Sequence, residues 1–308
     1  MKILITGIHG FVGSNLVKAL KGNHSLYGLD IVAPEKEGIL KTYNWNDLEK
    51  GRLPQVDAII HLAGKAHDTK NRSKAQVYFD INTGLTQKIY DYFLDSSAKK
   101  FVFFSSVKAA TDQVAGDILT EEVVPSPKGP YGESKIKAEE YIQGKWPADK
   151  SVYVLRPCMI HGPGNKGNLN LLYNVVKKGI PWPLGAFDNK RTFTSIDNLC
   201  YVVEGLLTKE VVSGIYHMAD DEAMSTNELI AVICEATGQK AHIWHLNKKM
   251  MEMLASVGGG LHLPLNRERL AKLTENYVVS NRKIKSALGM DKMPVRAKDG
   301  LIKTIKSF

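Results

Sequence analysis

Lys2-Ile3-Leu4-Ile5-Thr6-Gly7-Ile8-His9-Gly10-Phe11-Val12-Gly13 decides the fold of this 308-residue chain. Residues 2–6 are a short apolar, β-branched run, and a helical pattern through Leu16, Val17 and Leu20 follows the glycines. Strand, glycine turn and helix in that order build a cradle for a dinucleotide. Gly7 permits the tight turn, Gly10 lets the backbone approach a pyrophosphate, and Gly13 lets the helix pack close to the strand. The phosphates then meet free N–H groups at a helix N-terminus, where the dipole favours negative charge. His9, Phe11 and Val12 share this turn and join the glycines as expected cofactor contacts.

A second strand, residues 25–29, ends in Asp30. That is about 20 residues beyond the turn, where a carboxylate accepts both ribose hydroxyls of NAD. Asp30 repels a 2'-phosphate, and no Arg or Lys follows it before Lys36, so NAD is favoured over NADP. Apolar runs at 56–62, 100–105, 151–155 and 215–218 alternate with helical stretches at 73–94, around Tyr131 and at 196–207. The alternation predicts an α/β fold, a Rossmann-type doubly wound parallel sheet with a smaller C-terminal substrate domain. The boundaries expected are 1–166 with 191–219 for the NAD-binding part, and 167–190 with 220–308 for the substrate-binding part. Ligands in such sheets sit at the carboxyl ends of the strands, where Asp30, His61, Ser105 and Ser106 fall.

Within this frame, Tyr131-Gly132-Glu133-Ser134-Lys135 suggests redox chemistry on an alcohol. A tyrosine titrates near pH ~10 and is a poor base at neutral pH unless a cation stabilises its phenolate. One helical turn on, Lys135 lies on the same face and can supply that cation.

Composition sets the outer limits. Apolar residues make up 44% of the chain, ordinary for a globular protein. Cys158, Cys200 and Cys234 lie far apart, which fits a reducing cytosol and neither a disulfide framework nor a zinc site. No metal is expected. The opening apolar run is too short for an export signal and no stretch of ~18 apolar residues occurs, so a cytoplasmic protein is predicted. The net charge is +9, and residues 241–308 carry most of it, with 13 Lys or Arg against 5 Asp or Glu. Such a basic quarter attracts a phosphorylated substrate or an anionic membrane. Without a binding motif or an aromatic-rich basic stripe, nucleic acid is not an expected partner.

Taken together these residues resemble the extended short-chain dehydrogenase/reductase family, in its NAD-dependent sugar-nucleotide epimerase/dehydratase branch, and are UDP-glucose 4-epimerase-like. Thr6-Gly7-x-x-Gly10-Phe11-x-Gly13 resembles the family's cofactor loop, Asp47-Leu48 its adenine-side acid motif, and His61-Leu62-Ala63-Gly64 the segment lining the cofactor. Asn82 resembles the Asn that supports the site, and Tyr131 follows Ser106 by 25 residues, as in the family pattern. The resemblance implies Ser106, Tyr131 and Lys135 as catalytic residues. It adds Asp47, Leu48, Leu62, Ala63, Gly64, Ser105, Tyr131 and Lys135 to the cofactor contacts. Lys65, Ser106, Asn168 and Arg191 are the implied substrate contacts, with Arg191 on the diphosphate of a nucleotide sugar. A homodimer through helices at 73–94 and 131–146 is implied as well.

Departures from the pattern carry information. Dehydratases of the family place an Asp-Glu pair after the catalytic Ser or Thr, where this chain has Val107 and Lys108. Neither residue shuttles protons between C5 and C6 as a carboxylate does, which argues against a 4,6-dehydratase. His161 stands where a Tyr is common, and a lone histidine of this kind reads as a packed residue. In the C-terminal part, Ser225-Thr226-Asn227-Glu228 is a capping box closed by Gly238. Residues 248–265 combine paired lysines, Met250, Met251, Met253, Leu254 and the later leucines 261, 263 and 265. This stretch either packs into the core or touches a membrane or a lipid tail.

The expected activity is 4-epimerisation of a UDP-hexose or UDP-N-acetylhexosamine through a 4-keto sugar, in surface polysaccharide assembly. The alternatives are a reductase of a UDP-4-keto-6-deoxy sugar and a 4-epimerase of a polyprenyl-diphosphate sugar. A regulator that only binds NAD has no need of Tyr131 and Lys135, and both are present.

Overall fold

The computed structural model describes residues 1–32, 34–66, 73–165, 167–260 and 266–308. Residues Leu261, Leu263 and Leu265 of the proposed lipid-contacting stretch lie outside that set, as does the side chain of Asn168. In chain order the elements are β1 (Lys2–Thr6), α1 (Phe11–Leu20), β2 (Ser25–Asp30), β3 (Lys41–Asn44), α2 (Trp45–Glu49) and β4 (Ala58–His61). Next come α3 (Ala75–Tyr78), a π-helical turn (Phe79–Gly84), α4 (Leu85–Asp95), β5 (Lys100–Phe104), α5 (Val107–Ala110) and α6 (Pro130–Gly144). β6 (Ser151–Pro157), β7 (Met159–His161), α7 (Asn168–Lys177), β8 (Phe193–Ser195), α8 (Ile196–Thr208) and β9 (Gly214–Met218) follow. Five helices close the chain: α9 (Thr226–Thr237), α10 (Lys248–Gly260), α11 (Arg267–Thr274), α12 (Arg282–Leu288) and α13 (Ala297–Ile305).

Seven strands form one parallel sheet in the order β3-β2-β1-β4-β5-β6-β9, and β7 pairs with β8 in a separate ribbon. The chain runs outward from β1 to β3 and then returns to β4 on the other side of β1. Strand order therefore reverses between β1 and β4, which opens a crevice at their carboxyl ends. The period-two alternation of each strand splits its apolar residues between two cores. Ile3, Ile5, Ile60, Val102 and Leu155 pack with Leu16 and Val17 of α1 and Val202 and Leu206 of α8. Leu4, Ile59, Phe101, Phe103 and Val154 face the other way, onto Ile89 and Phe93 of α4 and Ile142 of α6. A further core joins Leu169 of α7, Ile230 and Ile233 of α9, Met251 and Ala255 of α10, Leu270 of α11 and Leu301 of α13. Ile284 and Leu288 of α12 pack on the α1–α8 side of the sheet.

Two elements depart from the sequence reading. β3 is an edge strand reading Lys-Thr-Tyr-Asn, with only Tyr43 buried, so it lacks the apolar run by which the inner strands are recognised. The helical stretch at 73–94 is interrupted by the π-helical turn, which carries Asn82. Such turns occur frequently at functional sites.

Candidate functional site

The glycine loop has the geometry its residues demand. Gly7 adopts φ +72, and a Cβ there would lie 2.9 Å from Ala63 N. A Cβ on Gly13 would lie 2.3 Å from Gly7 O, so any larger residue drives α1 away from β1. Gly10 caps α1 without a side chain, and no acid occupies the first turn. These backbone amides at a helix N-terminus suit a pyrophosphate. Asp30 flanks the loop: its Oδ2 accepts from His9 N at 3.1 Å and lies 3.0 Å from His9 Nδ1, while Oδ1 accepts from Ile31 N at 2.8 Å. The strand register sets Asn44 beside Asp30. Asp47, three residues on, closes a capping box with Asn44, and Leu48 is buried in the core. The cradle fits a dinucleotide, with Asp30 at the end of β2 for the ribose.

Sequence spacing left Lys36 remote from this region, but the fold brings it back. Its Nζ donates to Ser14 Oγ of α1 at 3.0 Å. Burial lowers its pKa, with Asp30 opposing.

Thr6 holds the next wall of the crevice. Its Oγ1 accepts from Leu62 N at 3.1 Å and Ala63 N at 2.9 Å, and lies 2.7 Å from His61 Nδ1. His61 Nε2 lies 3.0 Å from Thr86 Oγ1, which donates to Asn82 O at 2.6 Å. Donor counting fixes the chain: the Thr6 hydroxyl donates to Nδ1, and Nε2–H donates to Thr86. Only a neutral imidazole satisfies both. Burial, with the Lys135 charge adding to it, accordingly pushes the His61 pKa down to about 3.

A histidine depressed on folding contributes stability that is whole above its unfolded value near pH ~6.5 and is lost as pH falls towards the folded value. The loss is about 1.4 kcal/mol per pH unit over that window. Urea unfolding midpoints are therefore expected to fall more steeply between pH 6.5 and 5 in the wild type than in His61→Gln. Equal slopes would show that His61 is not held neutral.

Asn82 ties this wall to α6. Its Oδ1 accepts from Lys65 N at 2.7 Å, and its Nδ2 donates to Lys65 O at 3.2 Å and Ser134 Oγ at 2.9 Å. A Cβ on Gly64 would lie 2.9 Å from Asn82 Oδ1 and 3.3 Å from Lys135 Nζ, so the Leu62–Gly64 segment runs directly over Lys135. The Lys65 ammonium sits 5.5 Å from the Tyr78 ring, which meets Tyr131 edge-on at 6.3 Å.

Ser106 follows β5, and Tyr131 and Lys135 stand on α6. Ser106 is near enough to Tyr131 to oppose the rise of its pKa, and Ser106 Oγ accepts from Lys108 N at 3.2 Å. The three side chains expected to be catalytic thus gather at the carboxyl edge of the sheet, beside the glycine turn. Lys135 is buried, its Nζ donating to Phe104 O at 2.7 Å, and burial lowers its pKa to about 8.

The electrostatics of Tyr131 differ from the sequence expectation. Burial raises its pKa, and the group that opposes the rise is Ser106. Lys135 is not among the groups that shift it, and its ammonium donates to the Phe104 carbonyl.

Ser105, expected among the cofactor contacts, bonds inward through its side chain. Its hydroxyl donates to the Glu139 carboxylate, which lies on the same helix face as Lys135. Arg156 Nη2 and Nε donate to that carboxylate at 2.6 and 3.0 Å. Glu139 is 0% and Arg156 2% exposed, so this is an ion pair fully inside the protein. Ser105 faces inward onto Glu139, and its neighbours Phe104 and Ser106 hold Lys135 and Tyr131.

On the opposite side, Arg191 bridges to Met224 and Tyr277 through its backbone, and its Nη2 donates to Glu275 Oε1 at 2.7 Å. Tyr277 links this region to the catalytic loop: its hydroxyl donates to Thr111 O at 2.7 Å, and Lys108 Nζ lies 4.6 Å from its ring. Lys108 also pairs with Asp112 at 3.3 Å, so its ammonium is held between Asp112 and the Tyr277 ring. His161 is buried, with Nδ1 2.9 Å from Thr304 Oγ1, as a packed histidine. Glu139, Glu275 and Tyr277 escaped the sequence reading, since none lies in a motif and each is recruited by a distant contact.

Residues 3–219 match the model of the NAD-dependent epimerase/dehydratase family. The chain belongs to that family. Among the relatives of this epimerase/dehydratase, UDP-glucose 4-epimerase of Vibrio cholerae is 31% identical over 74% of this chain and 73% of its own length. The N-acetyl-α-D-glucosaminyl-diphospho-ditrans,octacis-undecaprenol 4-epimerase of Escherichia coli O157:H7 is 26% identical over 92% of this chain and 84% of its own. In fold, the chain is similar to UDP-glucuronic acid 4-epimerase from Bacillus cereus, solved with NAD, at TM-score 0.76 and 20% identity over 100% of this chain and 98% of that one.

Proposed function

We propose that this family member is an NAD-dependent 4-epimerase of a UDP-hexose or UDP-N-acetylhexosamine in surface polysaccharide synthesis. The gathering of Ser106, Tyr131 and buried Lys135 at the carboxyl edge of the sheet, beside the glycine cradle, carries the reading. NAD, when bound, supplies a hydride acceptor for C4 of the sugar and a donor for its return. Tyr131 takes the proton of O4 and later restores it, while the Ser106 hydroxyl hydrogen-bonds O4. Lys135 holds positive charge beneath the tyrosine and the ribose site. Arg191, fixed by Glu275, anchors the diphosphate so that the hexose turns over while the nucleotide stays. Val107 and Lys108 supply no acid–base pair for dehydration.

Lys135 sets the alkaline limit. Its amine is charged below and neutral above its value of about 8. kcat/KM, which reports the free enzyme, is expected to decline as pH rises through 8. Lys135→Arg keeps the charge, and its limb is expected to move up by more than one unit. A wild-type rate flat to pH 10 would remove Lys135 from this role.

The polyprenyl-diphosphate reading is kept as the second one, because the undecaprenol-linked epimerase aligns over 92% of the chain. Supplying UDP-glucose, UDP-N-acetylglucosamine and lipid-linked N-acetylglucosamine separately distinguishes the two. The leading reading requires interconversion of a UDP-sugar without net change in NADH. Consumption of NADH with a 4-keto sugar, and no conversion of any plain hexose, would make the protein a reductase.

The proposal includes a cytoplasmic location, a homodimer through α4 and α6, and a peripheral contact of the basic C-terminal part with a membrane. Among the described residues, no helix is long and apolar enough to cross one.

A further inference from the structure

Ser106 opens a helix that cannot hold itself. α5 is a single turn, Val107–Ala110, and one turn gains too few hydrogen bonds to offset the cost of nucleating it. Ser106 is its N-cap, with the side chain accepting from Lys108 N, so this turn aims the hydroxyl proposed to meet O4. The surroundings of α5 therefore set where Ser106 points. On one side α6 presses close: a Cβ on Gly132, next to Tyr131, would lie 2.4 Å from Lys108 O. At the far end of the turn, Ala110 O accepts from Ser126 N at 2.7 Å.

The last hold on this turn comes from a distant segment. The Tyr277 hydroxyl donates to Thr111 O at 2.7 Å and lies 3.3 Å from Val107 O. The side chain is buried with Val107, Ala110 and Cys158. Lys108 stands over its ring, with Nζ 4.6 Å from the centroid and donating to Asp112 O at 3.2 Å. Burial raises the Tyr277 pKa, so the hydroxyl remains a donor. The Tyr277 backbone meanwhile grips the segment of the proposed diphosphate anchor. Its N donates to Lys190 O at 2.8 Å and its O accepts from Thr192 N at 3.1 Å, on either side of Arg191. Glu275, two residues earlier, holds the Arg191 guanidinium. One residue thus joins Arg191 to the turn that aims Ser106.

We propose that Tyr277 is a positioning residue that fixes the Ser106 hydroxyl at a set distance from the Arg191 anchor. The inference rests on the catalytic role proposed for Ser106. It also gives Lys108, at a position where dehydratases carry an acid, the task of holding Tyr277. A loosened Ser106 misaligns O4 while the nucleotide stays bound, so the effect falls on kcat.

Tyr277→Phe tests this, because it keeps the ring and the backbone bonds and removes only the hydroxyl. The kcat for a UDP-hexose is expected to fall by about ten- to a hundred-fold, with the calorimetric Kd for UDP unchanged. In a Ser106→Ala background the same substitution is expected to cost no more than roughly two-fold, since the hydroxyl it acts through is already gone. A merely structural role costs the same in both backgrounds. Hydrogen exchange on the full chain reads the hold without catalysis: amides of residues 107–111 are expected to exchange about ten-fold faster in Tyr277→Phe. If the wild type converts no UDP-sugar, the proposed reaction fails, and exchange still decides whether Tyr277 holds α5. Unchanged kcat in Tyr277→Phe, an equal cost with and without Ser106, or unchanged exchange at 107–111 overturns the assignment.

Discussion

Tyr131→Phe is expected to lower kcat by about 10²–10⁴, the contribution of a positioned acid–base group, while leaving the fold and cofactor retention intact. The phenolic hydroxyl is the only atom removed. The ring keeps its edge contact with Tyr78, and Ser106 Oγ keeps its bond from Lys108 N. The effect should therefore fall on kcat with little change in the affinity for UDP, read by initial rates and by calorimetric titration with UDP. Ser106→Ala is expected to act in the same direction and more weakly, since it removes the hydroxyl proposed to hydrogen-bond O4. A Tyr131→Phe enzyme with wild-type turnover would overturn the catalytic assignment.

The second large effect is structural. Glu139→Gln leaves the Arg156 guanidinium buried with no compensating charge, and such losses typically cost about 3–5 kcal/mol. Urea unfolding is expected to show a cost of that order. The double variant Glu139→Leu, Arg156→Met removes both charges and is expected to be more stable than Glu139→Gln, because desolvating an ion pair offsets much of its attraction. Ser105→Ala keeps the pair and deletes one hydrogen bond, for roughly 1–3 kcal/mol. A Glu139→Gln protein as stable as wild type would show that Arg156 finds another partner or reaches water.

The contrast between these residues explains what the sequence discloses. Gly7, Gly10, Gly13 and Asp30 are legible because a dinucleotide cradle needs those residue types at fixed local spacing. The inner strands are legible from continuous apolar runs, as strands buried on both faces require. β3 escapes because an edge strand needs no such run, and Lys36 because the loop after β2 folds back over α1. The proposed catalytic trio rests on the 25-residue offset between Ser106 and Tyr131 and the helical step to Lys135. The supports are not readable in that way. The bond from the Ser105 hydroxyl to Glu139, and the hold of Arg156 on that carboxylate, join three separate elements. Arg191 is paired with Glu275, which is 84 residues away in the chain. Such pairings are set by the whole fold, so no local pattern announces them.

The central claim is that hydride leaves C4 and returns to the same sugar. A UDP-hexose carrying deuterium at C4 tests it most directly, with product and NADH followed together. The account predicts C4-epimerised product that retains deuterium at C4, formed over many turnovers with no NADH released. Release of the label into solution as deuterated NADH, or reduction of a 4-keto sugar with one NADH consumed per product and no epimerisation, would contradict it.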